Sequence, residues 1–89
     1  MPSQIVVVAS TIGLHARPVS LLVKAAGGAG LATTIGRPGE KAANAASMLA
    51  VMALGAKHGE ELEITVAEGP NADSILEELV NIVATNHDE

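Results

Sequence analysis

The chain has no phenylalanine, tyrosine or tryptophan, and no cysteine. Without cysteine there is neither a disulfide framework nor a thiolate metal site, which fits a reducing, cytoplasmic setting. Without aromatic rings the stacking platforms that grip single-stranded nucleic acid are missing. Positive charge is also scarce: five Lys and Arg stand against ten Asp and Glu, for a net charge of −5. Those five are scattered, so the clustered basic surface that nucleic acid requires is absent and nucleic acid is excluded as a partner. No apolar run approaches the roughly 20 residues of a membrane span. Ile5-Val6-Val7-Val8 is too short for a secretory leader and follows no basic stretch. No direct membrane insertion is expected. The three histidines lack metal-ligand spacing and no GxxxxGK[ST] loop occurs, so neither a metal nor a cofactor is expected.

What remains is aliphatic. Residues of the apolar class make up 48% of the 89 positions. The length argues for one domain spanning residues 1–89, able to bury about 60–65% of its unfolded surface. Its core has to be assembled from Val, Leu, Ile, Ala and Met.

The patterning alternates between periods of two and of 3.6 residues. Ile5 to Ala9 reads as a β-branched strand. After a loop over Ser10 to Gly13, Pro18 fits a first helical turn, and Val19, Leu22, Val23 and Ala26 make one apolar helix face. Gly27-Gly28 reads as the end of that helix. Leu31 to Gly36 is a second strand with Leu31, Thr33 and Ile35 on one side. Pro38-Gly39 predicts a type II turn into a short return strand, Glu40 to Ala43. Ser47 is the N-cap, and Gly55 the C-terminal stop, of a short helix that is apolar around its circumference. Glu61 to Glu68 alternates, with Leu62, Ile64 and Val66 facing inward. Gly69-Pro70 opens a last helix with an inner stripe of Ile75, Leu79, Ile82 and Val83. The order β-α-β-β-α-β-α predicts an α+β sandwich, its helices on one face of a sheet. The clean alternation of the last strand favours antiparallel pairing with one wet face.

The candidate site is Gly13-Leu14-His15-Ala16-Arg17-Pro18. It puts an imidazole at the positive end of a helix, beside unpaired N–H groups and a guanidinium, a corner that suits a phosphate. The chemistry it suggests is transport of a phosphoryl group on His15. A neutral imidazole is the nucleophile required, and His offers one near neutrality with an ordinary pKa of about 6.5. Arg17 and the helix end favour the neutral form before transfer and the added negative charge after it. The amides of Ala16 and Arg17 are the expected backbone donors to phosphate oxygens. His58 and His87 are expected on the surface.

A second block, Asn44-Ala45-Ala46-Ser47-Met48-Leu49 through Leu54-Gly55, lies at a fixed distance from the first. Together the two blocks resemble the signatures of HPr, the histidine-containing phosphocarrier family of the phosphoenolpyruvate-dependent sugar phosphotransferase system. The resemblance covers essentially the whole chain in length, element order and both motifs. It implies an open-faced β-sandwich, with a four-stranded antiparallel sheet in spatial order 1-4-2-3 and three helices on one face. It also implies a cytoplasmic carrier that accepts a phosphoryl group from phospho-Enzyme I on Nδ1 of His15 and passes it to EIIA domains of sugar permeases. Such a protein is an intermediate in phosphoryl transfer and not an independently turning-over enzyme.

The docking face the family uses maps onto Ala16, Ser20 and Lys24 of the first helix and Met48, Leu49 and Met52 of the second, with Val51 and Leu54 assigned to the core. A helix that short cannot bury every side, and Met adapts to several partners. Ser47 matches a serine that a dedicated kinase modifies in some Gram-positive relatives. Phosphate there would sit beside the docking face, so a serine kinase or a transcription regulator is a further partner class. Three departures stand out: Ile12 where many relatives carry a small polar residue, and Gly27 and Ala50 where enteric relatives often carry Lys. Ile12 removes a candidate loop hydrogen bond near the site, and Gly27 and Ala50 make the docking face less basic and more apolar. Other readings stay open: a paralogous carrier of a nitrogen or dihydroxyacetone branch, a regulatory binding module acting through Ser47, or a domain whose His15 merely caps a helix.

Overall fold

The computed structural model describes residues 2–9, 13–14 and 16–85. His15, Ile12 and His87 lie outside the described residues. The elements are β1 (Ser3–Val7), α1 (Ala16–Gly28), β2 (Thr33–Gly36), β3 (Ala43–Asn44), α2 (Met48–Ala53), β4 (Glu61–Val66) and α3 (Ala72–Ala84). The four strands form one antiparallel sheet in the order β1-β4-β2-β3. The fold is an α+β open-faced sandwich.

Alternation decides the two faces of the sheet. In β4, Leu62, Ile64 and Val66 are buried, and Ile64 is flanked by Gln4 of β1 and Ile35 of β2. Val6, Val8, Thr33 and Ile35 join them under the helices. Ile5 and Val7, opposite Glu63 and Glu61, point to solvent and are half exposed. Above the sheet, Val19, Leu22 and Ala26 of α1 meet Leu76, Leu79, Val80 and Val83 of α3 and Val51 of α2 in one cluster. Leu22, Ile35, Leu62, Ile64 and Leu79 are wholly buried. Burial of each stabilises the fold by about 2–3 kcal/mol, so an aliphatic core suffices without an aromatic ring.

Several boundaries differ from those the pattern predicts. β1 starts at Ser3, because Ser3 and Gln4 pair with Thr65 and Ile64 despite their polarity. α1 does end at Gly28, as the glycine pair predicts, but neither glycine is left-handed, and the residue at positive φ is Gly30, at φ 76°. The return strand is only Ala43–Asn44. The type II turn does form, with Gly39 at φ 81° and the Glu40 amide donating to the Arg37 carbonyl at 3.0 Å. In α3 the buried stripe is Ala72, Leu76, Leu79, Val80 and Val83. Ile75 and Ile82 are only half buried, at the edge of the cluster.

Candidate functional site

α1 begins at Ala16, one residue beyond the candidate nucleophile. Pro18 lies in its first turn and is buried, where the fixed φ of proline suits the helix and its missing N–H costs no helical bond. The Ala16 and Arg17 amides have no intrahelical acceptor by position, and both residues are exposed. No acidic side chain occupies that first turn. The positive end of α1 therefore carries no acidic residue of its own that would oppose an anion.

The chain ahead of this end is held by backbone contacts. The Leu14 amide donates to the Ala56 carbonyl at 3.0 Å. Gly13 is buried at φ 80°, and a Cβ there would lie 2.5 Å from that same oxygen. Only glycine fits, because the left-handed backbone and the close approach coincide.

Ala56 lies three residues beyond the end of α2. Ser47 caps that helix, its Oγ accepting from the Ala50 amide at 3.3 Å. Gly55, at φ 60°, ends it and donates to the Met52 carbonyl at 3.1 Å. α2 packs on α1 and β3 with Val51 as its buried anchor. Its other sides face solvent: Leu49 is 84% exposed, Met52 43% and Met48 40%. Leu54 is partly buried against the core. On α1, Ser20 and Lys24 are exposed as well. The positions named for docking thus lie on the exposed sides of two packed helices, whereas His15 lies outside the described residues.

One constellation carried no sequence signal. Arg37, at the end of β2, reaches Glu60 ahead of β4, with Nε to Oε2 at 2.7 Å and Nη2 to Oε1 at 3.3 Å. Glu60 Oε1 also accepts the Lys57 amide at 2.8 Å. The Arg37 guanidinium and that amide hold the Glu60 carboxyl below its ordinary range. The same pair raises Arg37 further above its ordinary value. The partners are 23 residues apart, so neither helical nor strand spacing marks them. His58, in the turn between, is exposed. Among the described residues no group of three or more His, Asp or Glu could hold a metal ion, and no helix is long and apolar enough to cross a membrane.

Sheet order and helix placement define a class, the small open-faced α+β sandwich with an exposed helix N-terminus at one end. Comparison with known proteins narrows it. The family model described as the PTS HPr component phosphorylation site matches residues 2–85. The phosphocarrier protein HPr of Streptomyces coelicolor is 44% identical over 77 residues, covering 86% of this chain and 82% of that protein. HPr of Pseudomonas aeruginosa is 33% identical over 89 residues, covering 100% and 98%. The crystal structure of HPr from Bacillus anthracis matches with a TM-score of 0.81 at 33% identity, covering 92% of this chain and 95% of the other. The chain belongs to the HPr family, the phosphocarrier proteins of the phosphotransferase system.

Proposed function

We propose that the chain, as one HPr-like domain over residues 1–89, carries a phosphoryl group on His15 between phospho-Enzyme I and EIIA domains of sugar permeases in the cytoplasm. The observation that carries this reading is the start of α1 at Ala16, immediately after His15 in the chain, with solvent-exposed Ala16 and Arg17 and no acidic residue in its first turn. In the transfer a ring nitrogen of neutral His15 attacks phosphorus with its lone pair. An N–P bond forms as the donor's bond to phosphorus breaks, and that electron pair returns to the donor. A proton leaves the other ring nitrogen of His15 while the donor takes one up. The Ala16 and Arg17 amides and the Arg17 guanidinium balance the charge on the phosphoryl oxygens. Acceleration comes from position and charge, since the protein contributes little bond-making beyond the nucleophile. Met48, Leu49 and Met52, with Ala16, Ser20 and Lys24, form the face that Enzyme I and EIIA share.

The test is phosphoryl transfer from phosphoenolpyruvate with Enzyme I of a related organism and Mg²⁺, read by intact mass at mildly alkaline pH. One acid-labile phosphate on the wild type and none on His15→Ala is the expected result. A folded wild type that gains nothing would overturn the reading. A regulatory role for Ser47 is a second reading, supported by its place at the N-cap of α2 beside exposed Met48 and Leu49. Phosphate there would meet the helix's positive end and weaken docking of Enzyme I.

A further inference from the structure

The segment 56–60 is a platform for Val8 and Leu14, the latter next to His15 in the chain. Its turn closes through the Glu60 amide on the Lys57 carbonyl at 3.1 Å, with Gly59 left-handed at φ 84°. Val8 is tied to it twice. The Val8 amide donates to the Glu60 carbonyl, and the Gly59 amide donates to the Val8 carbonyl, both at 3.0 Å. Leu14 is tied to it once, through Ala56. Ala9 adds one bond to the end of α3, its amide donating to the Val83 carbonyl at 3.2 Å. Val8 and Leu14, on either side of positions 9–13, thus both rest on the five consecutive residues 56–60.

Glu60 is where side chains enter this arrangement. Its carboxylate closes the turn on the Lys57 amide and is gripped from outside by the two nitrogens of Arg37. Arg37 is itself fixed at the start of the type II turn that follows β2. The pair therefore ties the platform to the turn that follows β2, at the same end of the sheet. Forked geometry of this kind restricts orientation as well as distance.

We propose that Arg37 and Glu60 are positioning residues for phosphoryl transfer at His15, acting through the 56–60 turn that holds Val8 and Leu14. The inference rests on the carrier reading given above. Neither residue belongs to the docking face, so their loss acts on the transfer step and leaves the encounter with Enzyme I alone. Small displacements of a nucleophile are costly in rate.

The experiment compares wild type with Arg37→Ala, Arg37→Lys, Glu60→Ala and the charge-reversed pair Arg37→Glu with Glu60→Arg. Phosphorylation by Enzyme I is measured for kcat and KM, and exchange of the Leu14 amide by NMR. Both alanine variants are expected to lower kcat about tenfold with KM little changed, and to speed Leu14 exchange. Arg37→Lys, which cannot fork, falls between. The reversed pair stays slow, because an Arg at position 60 cannot accept the Lys57 amide. Wild-type kcat in Arg37→Ala, or full rescue by the reversed pair, overturns the proposal. So does unchanged Leu14 exchange, which is read whether or not Glu60→Ala folds. A wild type that takes no phosphoryl group sinks the His15 reading and this proposal together. A phosphorylated wild type with variants of equal rate sinks this proposal alone.

Discussion

Gly13 lies so close to Ala56 that a Cβ at position 13 would sit 2.5 Å from the carbonyl oxygen which accepts the Leu14 amide. Gly13→Ala therefore meets two penalties at once. The left-handed backbone costs a residue with a Cβ about 1–2 kcal/mol, and the clash has to be relieved by moving backbone, not a side chain. A loss of roughly 2 kcal/mol or more is expected in urea unfolding, with slower phosphoryl transfer in the fraction that remains folded. Unchanged stability would mean that the 13–14 segment yields freely and that Ala56 does not hold it.

Leu49 separates docking from folding. At 84% exposure it contributes almost nothing to the core. Leu49→Asp is expected to change unfolding free energy by less than about 0.5 kcal/mol. On the proposed docking face it should raise KM for Enzyme I about tenfold, equivalent to roughly 1.4 kcal/mol. An unaltered KM would move the docking face away from α2.

Thr33 is a weak point in the core. Its hydroxyl is buried on the inner face of β2 and has no hydrogen-bond partner among the described residues. A buried unpaired polar group costs about 1–3 kcal/mol, and valine fills nearly the same volume without one. Thr33→Val is expected to stabilise the protein by about 1 kcal/mol, which for a domain of this size raises Tm by roughly 4–8 °C. Differential scanning calorimetry decides the matter, and a lower Tm would mean that the hydroxyl is satisfied in solution.

Ser47 permits a clean division of roles. Ser47→Ala removes the bond to the Ala50 amide and should cost about 0.5–1 kcal/mol. Ser47→Asp keeps an acceptor and places negative charge at the positive end of α2, so its stability should match that of wild type. The same charge lies beside exposed Met48 and Leu49 and should raise KM for Enzyme I. Equal KM values for the two variants would leave Ser47 as a cap only.

The sequence carried the fold wherever a local pattern stood alone. The alternation of Leu62, Ile64 and Val66, the Pro38-Gly39 turn and the Ser47 cap all appear as the residues dictate. It misled where tertiary packing chose among equals. Ile75 and Ile82 are as apolar as Leu76 and Val80, and only the angle at which α3 meets the sheet sets which pair is covered. Gly27 and Gly28 do close α1, but the left-handed residue comes two positions later, at Gly30. At the site, the motif from Gly13 to Pro18 is local and therefore readable. The Arg37 and Glu60 grip joins two turns far apart in the chain, and no period in the sequence encodes it.

Glu60 also gives the grip a pH signature. Its carboxyl is held below the ordinary range by Arg37 first and by the Lys57 amide second. The unfolded chain therefore binds more protons than the folded one in the window below about 4.5. The stabilising contribution is complete above that window and is lost as pH falls through the lowered folded value. Arg37 stays cationic throughout and adds no pH dependence of its own in this range. Glu60→Gln keeps an acceptor for the Lys57 amide while removing the charge. The stability difference between wild type and Glu60→Gln, from urea unfolding across acid and neutral pH, should be constant near neutrality and shrink toward zero in acid. Both side chains are about 30% exposed, so high salt should reduce the neutral-pH difference by screening. A difference that persisted undiminished in acid would place the effect of Glu60 in packing and not in its charge.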